Sequence, residues 1–106
     1  MAKFLFVASF TAEGAKGILA EGGTRRRDAL EATFASLGGT LESLYFGFGS
    51  DDVFLIGELP GNAAAAAAAL TTSASGAVHT RTVVLLTPED MDTAAKLSPD
   101  YRAPGA

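Results

Sequence analysis

Residues 40–59, with the sequence TLESLYFGFGSDDVFLIGEL, contain two stretches with the composition of β-strands. They are separated by Gly49-Ser50-Asp51-Asp52, and Gly, Ser and Asp are the residue types that form turns. We therefore predict a β-hairpin joined by a tight turn. Because a two-stranded hairpin is only marginally stable in water, further strands must lie beside it and helices must cover one face. The rest of the chain has to supply these parts.

The residues around the hairpin supply two more strands and several helices. Thr11 is predicted to cap a helix that ends at Gly22-Gly23, and Thr24 a stronger helix in which Leu30, Phe34 and Leu37 share one face. Thr87-Pro88 is typical of the start of a helix. The predicted elements, in chain order, are a strand over 3–10, helices over 11–22 and 24–37, the hairpin, an alanine-rich helix capped by Asn62 and running to about Thr72, a strand over 78–86, and a short helix to about Leu97.

This order of elements is β-α-β-β-α-β with an added C-terminal helix. Two right-handed crossovers place the first and third strands in the middle of a four-stranded antiparallel sheet, with the helices on one face. We therefore predict the α+β class and a ferredoxin-like fold. Residues 1–97 form the single domain, and residues 98–106 form a tail.

The predicted strands have apolar residues on both faces, although helices can cover only one. Phe4, Phe6, Ala8 and Phe10 alternate with Leu5 and Val7, and in the hairpin Leu44, Phe46 and Phe48 alternate with Leu41 and Tyr45. An uncovered face would expose an apolar patch larger than is usual for a monomer. We therefore expect at least a homodimer joined through the helix-free face, with Val7 and Leu55 as positions where a charge would disrupt it.

Composition excludes several classes of function. The 106 residues include no cysteine, which removes disulfides, thiolate metal sites and cysteine nucleophiles. A net charge of −4 argues against nucleic-acid partners. The apolar run over 63–70 is too short to cross a membrane, and the N-terminus lacks a clear signal-peptide pattern, so we expect a cytoplasmic protein.

Arg25, Arg26 and Arg27 stand near the start of the second predicted helix. Cations are disfavoured at a helix N-terminus, whereas a bound phosphate or carboxylate suits both guanidinium groups and the helix dipole. The arginines are therefore candidates for an anion site. The alternative is ion pairing at helical spacing, of Arg25 with Asp28 and of Arg27 with Glu31.

The remaining candidate ligand-binding residues are Tyr45, His79, Arg81 and Asp52. Tyr45 shares a strand face with small residues, which leave room either for a pocket or for close packing against a partner. His79 is the only histidine and shares a face with Arg81, and a structural role is the simpler interpretation. We predict no metal site and no cofactor, since no nucleophile–base pair, phosphate loop or metal signature is present.

The ordered set of motifs resembles the GYD-domain family over nearly the whole chain to about Met91. The matching segments are Lys3–Ser9, Glu21–Thr24 with Arg26-Arg27, Leu37–Gly39, Tyr45–Gly49, Asp52-Val53, the alanine helix and Ser75–Val78. The resemblance implies a dimeric α+β barrel, in which two sheets pack face to face, and implies no particular reaction. The family's Gly-Tyr-Asp is here Gly49 followed by Ser50, Asp51 and Asp52, so Asp51 stands where the tyrosine would be.

Three functions remain open from the sequence. The first is a homo-oligomeric α+β-barrel protein that binds a small anionic or aromatic ligand. The second, by analogy with other dimeric barrels, is a cofactor-independent or haem-dependent oxygenase or an isomerase. The third is a structural or regulatory interaction module. A pocket joining Tyr45, His79 and an arginine would favour the first two.

Overall fold

The computed structural model describes all residues, Met1 to Ala106. It contains the strands β1 (Ala2–Phe10), β2 (Thr40–Phe46), β3 (Val53–Leu59) and β4 (Val78–Leu85), and the helices α1 (Ala12–Ser36), α2 (Asn62–Ala74) and α3 (Pro88–Lys96). All strand pairs are antiparallel, in the order β2-β3-β1-β4. The first and third strands are therefore central, and the predicted ferredoxin-like α+β fold is confirmed.

The core lies between the sheet and the helices α1 and α2. Phe34 of α1 is buried and meets the ring of Phe6 edge-on, with centroids 5.8 Å apart. Gly57 of β3 makes this possible, because a methyl group at that position would overlap the Phe34 ring. Leu30 and Leu37 pack against the same cluster. The predicted sheet-facing side of this helix is thus confirmed.

The helix α1 is interrupted where two helices were predicted to meet. Gly22 has φ +80° and ψ 174°, a conformation that only glycine adopts readily. The helix resumes immediately afterwards, so Thr24 lies inside the second half and makes no side-chain hydrogen bond; its predicted capping role is wrong. Gly23 lies against Phe46, whose ring would have to shift by a few tenths of an ångström to admit a methyl group at that position.

The C-terminus of α1 ends as the sequence predicts. Gly38 has φ +81°, and its N–H donates to the carbonyl of Ala35. The N–H of Gly39 donates to the carbonyl of Phe34, which completes the paired hydrogen bonds of a Schellman motif. The chain thereby turns directly into β2.

The β2–β3 hairpin differs from the prediction in two respects. A bulge at Glu42 shifts the register between Leu41 and Ser43, so Leu41 faces the core with Leu44 instead of opposite to it. The connection is also longer than a tight turn, since it spans residues 47–52. Phe48 therefore lies outside β2, and its side chain is 99% exposed.

The sheet face away from α1 and α2 has no covering element, and we call it the open face. Its central residues are mostly apolar and come from β1, β3 and β4. Register places on it Lys3, Leu5, Val7 and Ser9 of β1, Ser43 and Tyr45 of β2, Phe54, Ile56 and Glu58 of β3, and His79, Arg81, Val83 and Leu85 of β4. Leu55 instead belongs to the core cluster, so only Val7 of the two predicted interface positions lies on the open face.

The N-cap prediction is wrong for α2 and confirmed for α3. Gly61, not Asn62, occupies the N-cap position of α2, and no side chain caps that helix. Thr87 caps α3 as predicted: its hydroxyl accepts from the Asp90 N–H, and the Asp90 carboxylate accepts from the Thr87 N–H. No residue of α3 is buried. The helix therefore projects from the rest of the molecule.

Candidate functional site

A cavity of about 120 Å³ lies between the helices and the sheet. It exists because α1 packs mainly on β2 while α2 packs mainly on β4, so neither helix is centred on the two central strands. The α2 residues that face the sheet are Ala65 and Ala68, whose methyl groups do not fill this space. The alanine-rich helix thus forms one wall of a hollow.

Most of the cavity lining is apolar. Aromatic rings come from Phe6, Phe10 and Phe34, and aliphatic groups come from Ala8, Leu30, Val53, Leu55, Ala68, Ala77 and Val78. The hydroxyls of Thr33 and Thr72 also line it, but each donates its proton to a helix carbonyl, Thr33 to Ala29 and Thr72 to Ala68. The lining therefore suits a hydrocarbon group.

Arg26 is the one charged residue that lines the cavity. Its Nε lies 3.2 Å from Oε2 of Glu21, on the other side of the break at Gly22. The alignment is poor, however, so this buried Nε–H makes no hydrogen bond. The Arg26 side chain is 41% exposed, so its guanidinium can also meet an anion at the edge of this apolar space.

The other two arginines do not join Arg26. Arg25 is exposed and forms no ion pair, so its predicted pairing with Asp28 is wrong. Asp28 instead lies 3.6 Å from Nε of Arg27, whose predicted pairing with Glu31 is confirmed at 3.7 Å. The three guanidinium groups thus do not converge on one anion site, and only Arg26 has access to the cavity.

Tyr45, His79 and Arg81 all lie on the open face, outside the cavity. Tyr45 is opposite Phe54 at one edge of the sheet, and Arg81 is on the strand at the other edge, about 14 Å away across three strand spacings. His79 is two residues further along that strand. A terminal guanidinium nitrogen of Arg81 lies 3.9 Å from the Asp51 carboxylate. Within one chain these residues do not form a pocket.

Asp52 holds the hairpin connection against the end of β1. Its Oδ2 accepts a 2.8 Å hydrogen bond from the Phe10 N–H, and its own N–H donates to the Ala8 carbonyl at 2.9 Å. Its carbonyl accepts from the Gly47 N–H. All of these bonds are within the protein, which supports a structural role for this carboxylate.

The opposite end of the open face carries a second charged group. Lys3 Nζ lies 2.8 Å from Oε2 of Glu42, the bulged residue of β2. This hydrogen bond and the attraction to Glu42 raise the pKa of Lys3 above its ordinary value, with a smaller contribution from Glu58. Elsewhere no three His, Asp or Glu side chains cluster as metal ligands would. None of the helices combines the length and apolarity required to cross a membrane.

The fold and the cavity define a small ferredoxin-like α+β protein with an apolar hollow beneath its helices. The family model of the GYD domain matches residues 4–95, which is most of the chain. The chain therefore belongs to the GYD-domain family, as its motifs predicted. Neither the curated proteins nor the solved structures gave a significant match.

The sequence singled out Arg26 but not the cavity beside it. The feature of the sequence that could have indicated the cavity is the contrast between an alanine-rich helix and strands rich in phenylalanine. Small side chains at Ala65 and Ala68 allow close helix–sheet packing, but they equally leave a hollow if neighbouring elements hold the helix away. Which of these occurs depends on the direction of α1, which sequence periodicity does not specify.

Proposed function

We propose that this protein binds a small apolar anion, with its hydrocarbon part in the cavity and its charge at Arg26. The observation that supports this most strongly is the pairing of an apolar hollow with a single lining cation, Arg26, whose Nε meets only the poorly aligned carboxylate of Glu21. A ligand carboxylate would replace Glu21 as the partner of this Nε–H and form a well-aligned, charge-assisted hydrogen bond. The ligand class is thus a monocarboxylate or a similar anion on a ring or short chain.

The cavity volume limits the size of the ligand. An apolar protein cavity of about 150 Å³ is known to hold benzene. The volume of about 120 Å³ is smaller, so one aromatic ring or an alkyl chain of comparable size is the upper limit of what it can hold. Each buried methylene group would contribute about 0.8 kcal/mol. Aromatic carboxylates such as benzoate are suitable probes.

The residues lining the cavity favour binding over acid–base chemistry. Thr33, Thr72, Ser75 and Thr80 supply its polar atoms apart from Arg26, and no carboxylate or imidazole lines it. A general acid or base must lie within hydrogen-bond reach of the reacting group. His79 and Asp51 are on or beside the open face instead. The oxygenase or isomerase alternative therefore has less support than binding.

The second part of the proposal is a homodimer joined through the open face. Leu5, Phe54, Ile56 and Val83 form a partly exposed apolar centre there, around Val7, which neighbouring side chains already bury to 2% exposure. Lys3 and Glu42 lie toward one end of the strands, and Arg81 and Asp51 lie toward the other. An apolar core with a polar rim is typical of protein interfaces. A second copy presenting the same face would cover the apolar centre on both chains. This arrangement is the dimeric α+β barrel.

Calorimetric titration with benzoate tests the cavity proposal. The native protein should bind benzoate more tightly than benzyl alcohol, which has the same ring without the charge. Replacing Arg26 by Gln removes the cation but keeps a side chain of similar length, and we expect it to weaken benzoate binding by at least about tenfold, equivalent to roughly 1.4 kcal/mol.

Arg25→Gln is the matched control, because Arg25 is on the same helix but is exposed and unpaired. It should leave benzoate affinity unchanged. Equal losses in Arg25→Gln and Arg26→Gln, or equal affinities for benzoate and benzyl alcohol, would contradict the assignment of Arg26 as the anion-binding group.

A further inference from the structure

Glu21 and Arg26 face each other across the break in α1. In a regular helix, side chains five residues apart point about 140° away from each other around the axis and do not meet. The conformation of Gly22 redirects the chain, so that Nε of Arg26 lies 3.2 Å from Oε2 of Glu21. The two side chains are 41% and 32% exposed, which leaves the pair accessible from solvent. The interruption of the helix thus places an acid and a guanidinium group side by side.

A second hollow, of about 110 Å³, adjoins the cavity beside the first half of α1. It differs from the cavity in charge, because Glu13 and Glu21 line it together with Arg26, whereas no carboxylate lines the cavity. The residues that line both spaces are Phe10, Arg26, Ala77 and Val78. Arg26 therefore lies at the boundary between an apolar space and an acidic one.

The first half of α1, which carries Glu21, is tied to the segment before β4. The N–H of Thr11 donates to the Ala77 carbonyl at 3.0 Å, and the Thr11 hydroxyl donates to the Gly76 carbonyl at 2.7 Å. Gly14 approaches this segment so closely that a methyl group at that position would overlap the carbonyl of Ala77. The helix segment that carries the acid is thus fixed before any ligand binds, which reduces the cost of ordering the site.

The position of Glu21 restricts the charge of the ligand. When a ligand carboxylate takes the Nε–H of Arg26, Glu21 loses that partner, and two carboxylates then lie side by side at one guanidinium group. Like charges in such proximity repel each other. A ligand that also carries a cation removes this repulsion, because the cation becomes the new partner of Glu21 through a charge-assisted hydrogen bond. The acid and the guanidinium group are in contact, so the two charges of the ligand must also be close together.

We propose that the ligand of this site is an α-amino acid with a small apolar side chain. Its carboxylate binds Arg26 and its ammonium group binds Glu21, since both groups are attached to the same carbon. Its side chain lies in the cavity, and its charged groups lie at the boundary with the second hollow. The inference rests on the anion site of the proposed function and adds the second charge of the ligand. Leucine is a suitable probe, because an isobutyl group has fewer carbons than a benzene ring and is within the size limit of the cavity.

Calorimetric titration of the full chain with leucine and two analogues tests the amino-acid site. 4-Methylpentanoate is leucine without the ammonium group, and 3-methylbutylamine is leucine without the carboxylate. The native protein should bind leucine at least about tenfold more tightly than either analogue, because only leucine satisfies both charges. Glu21→Gln removes the acid but keeps the length of the side chain. It should remove the preference for leucine over 4-methylpentanoate, by weakening the first and strengthening the second.

Glu31→Gln is the matched control. It removes the same charge from the same helix, at an exposed residue that pairs with Arg27 and not with Arg26. The ratio of the affinities for leucine and 4-methylpentanoate should stay as in the native protein. Both affinities are measured on the same sample, so a fraction of unfolded protein lowers them equally and leaves the ratio unchanged.

Failure of this inference is distinguishable from failure of the proposed function. If leucine binds no more tightly than 4-methylpentanoate, if Glu21→Gln keeps the preference, or if benzoate binds and leucine does not, the amino-acid assignment is refuted and the anion site at Arg26 stands. If 3-methylbutylamine binds as tightly as leucine, the carboxylate contributes nothing, and both are refuted. Both are also refuted if neither benzoate nor any of the three compounds binds.

Discussion

Single residues decide how the helix layer of this protein meets its sheet. Phe34 is 2% exposed and rests on Gly57, so one large side chain fills the space that one absent side chain leaves. Arg26 shows the converse situation, a side chain whose polar group lacks its full complement of partners. Stability and the candidate function therefore depend on different residues of the same helix.

Phe34→Ala should lower the free energy of unfolding by about 3–5 kcal/mol, because it leaves a large hole against Phe6. Glu31→Ala, on the exposed side of the same helix, removes only a 3.7 Å ion pair and should cost much less. Chemical denaturation measures both. Similarly small decreases in the free energy of unfolding for the two variants would mean that α1 packs on the sheet through a different side.

Asp52→Ala should cost roughly 1.5–3 kcal/mol, since it removes the charged acceptor of the Phe10 N–H. Asp51→Ala is the matched neighbour and loses only a contact of 3.9 Å with Arg81, so its effect should be smaller. Urea unfolding of both variants makes the comparison. A larger loss at Asp51 would show that the hairpin connection is held by the other carboxylate.

At the scale of elements, the sequence predicted every strand and helix but not their finer geometry. Hydrophobic alternation and turn residues located the strands, and Thr87-Pro88 located α3, because these signals are local. The bulge at Glu42 was missed, since it depends on pairing with a strand that is distant in sequence. The cavity was missed for the same reason: the placement of α1 over β2 and of α2 over β4 results from packing and has no local signature.

The break in α1 allows a test by two glycines of the same helix. Gly22→Ala should destabilise by about 1 kcal/mol or more, because alanine is strained at φ +80°. Gly17→Ala should stabilise by about 0.4–1 kcal/mol, because Gly17 is helical with open space around it. Thermal or chemical unfolding measures the sign of the change in stability for each variant. Two changes of the same sign would argue that α1 is continuous.

For the whole molecule, the unequal faces of the sheet matter most. One face has two helices and a packed core, and the other has an apolar centre with no covering element. The alternation of residues along each strand predicted that both sheet faces are apolar. Which residues face the helices and which lie on the open face is decided by the strand register. Leu55 illustrates this, since its pattern allowed either side and the register places it in the core.

Val83→Asp should dissociate the dimer, because Val83 is on the open face of β4. Val84→Asp is the matched control: it places the same charge one residue along the same strand on the other face, where Val84 is 54% exposed. Sedimentation equilibrium should show a monomer for the first variant and a dimer for the second. A native protein that sediments as a monomer near its chain mass of 10.8 kDa would contradict the proposed dimer.

The alanines of α2 have a consequence for how this protein could change over evolutionary time. A hollow retained in a core lowers stability, so a larger residue at Ala68 that fills it, such as Leu, would make the unliganded protein more stable while removing the space for a ligand. A side chain of intermediate size at position 68, such as Val, would leave a smaller cavity that accepts only shorter ligands. Relatives with the same fold could therefore differ in what they accept through one or two side chains of a single helix, without any change in the sheet.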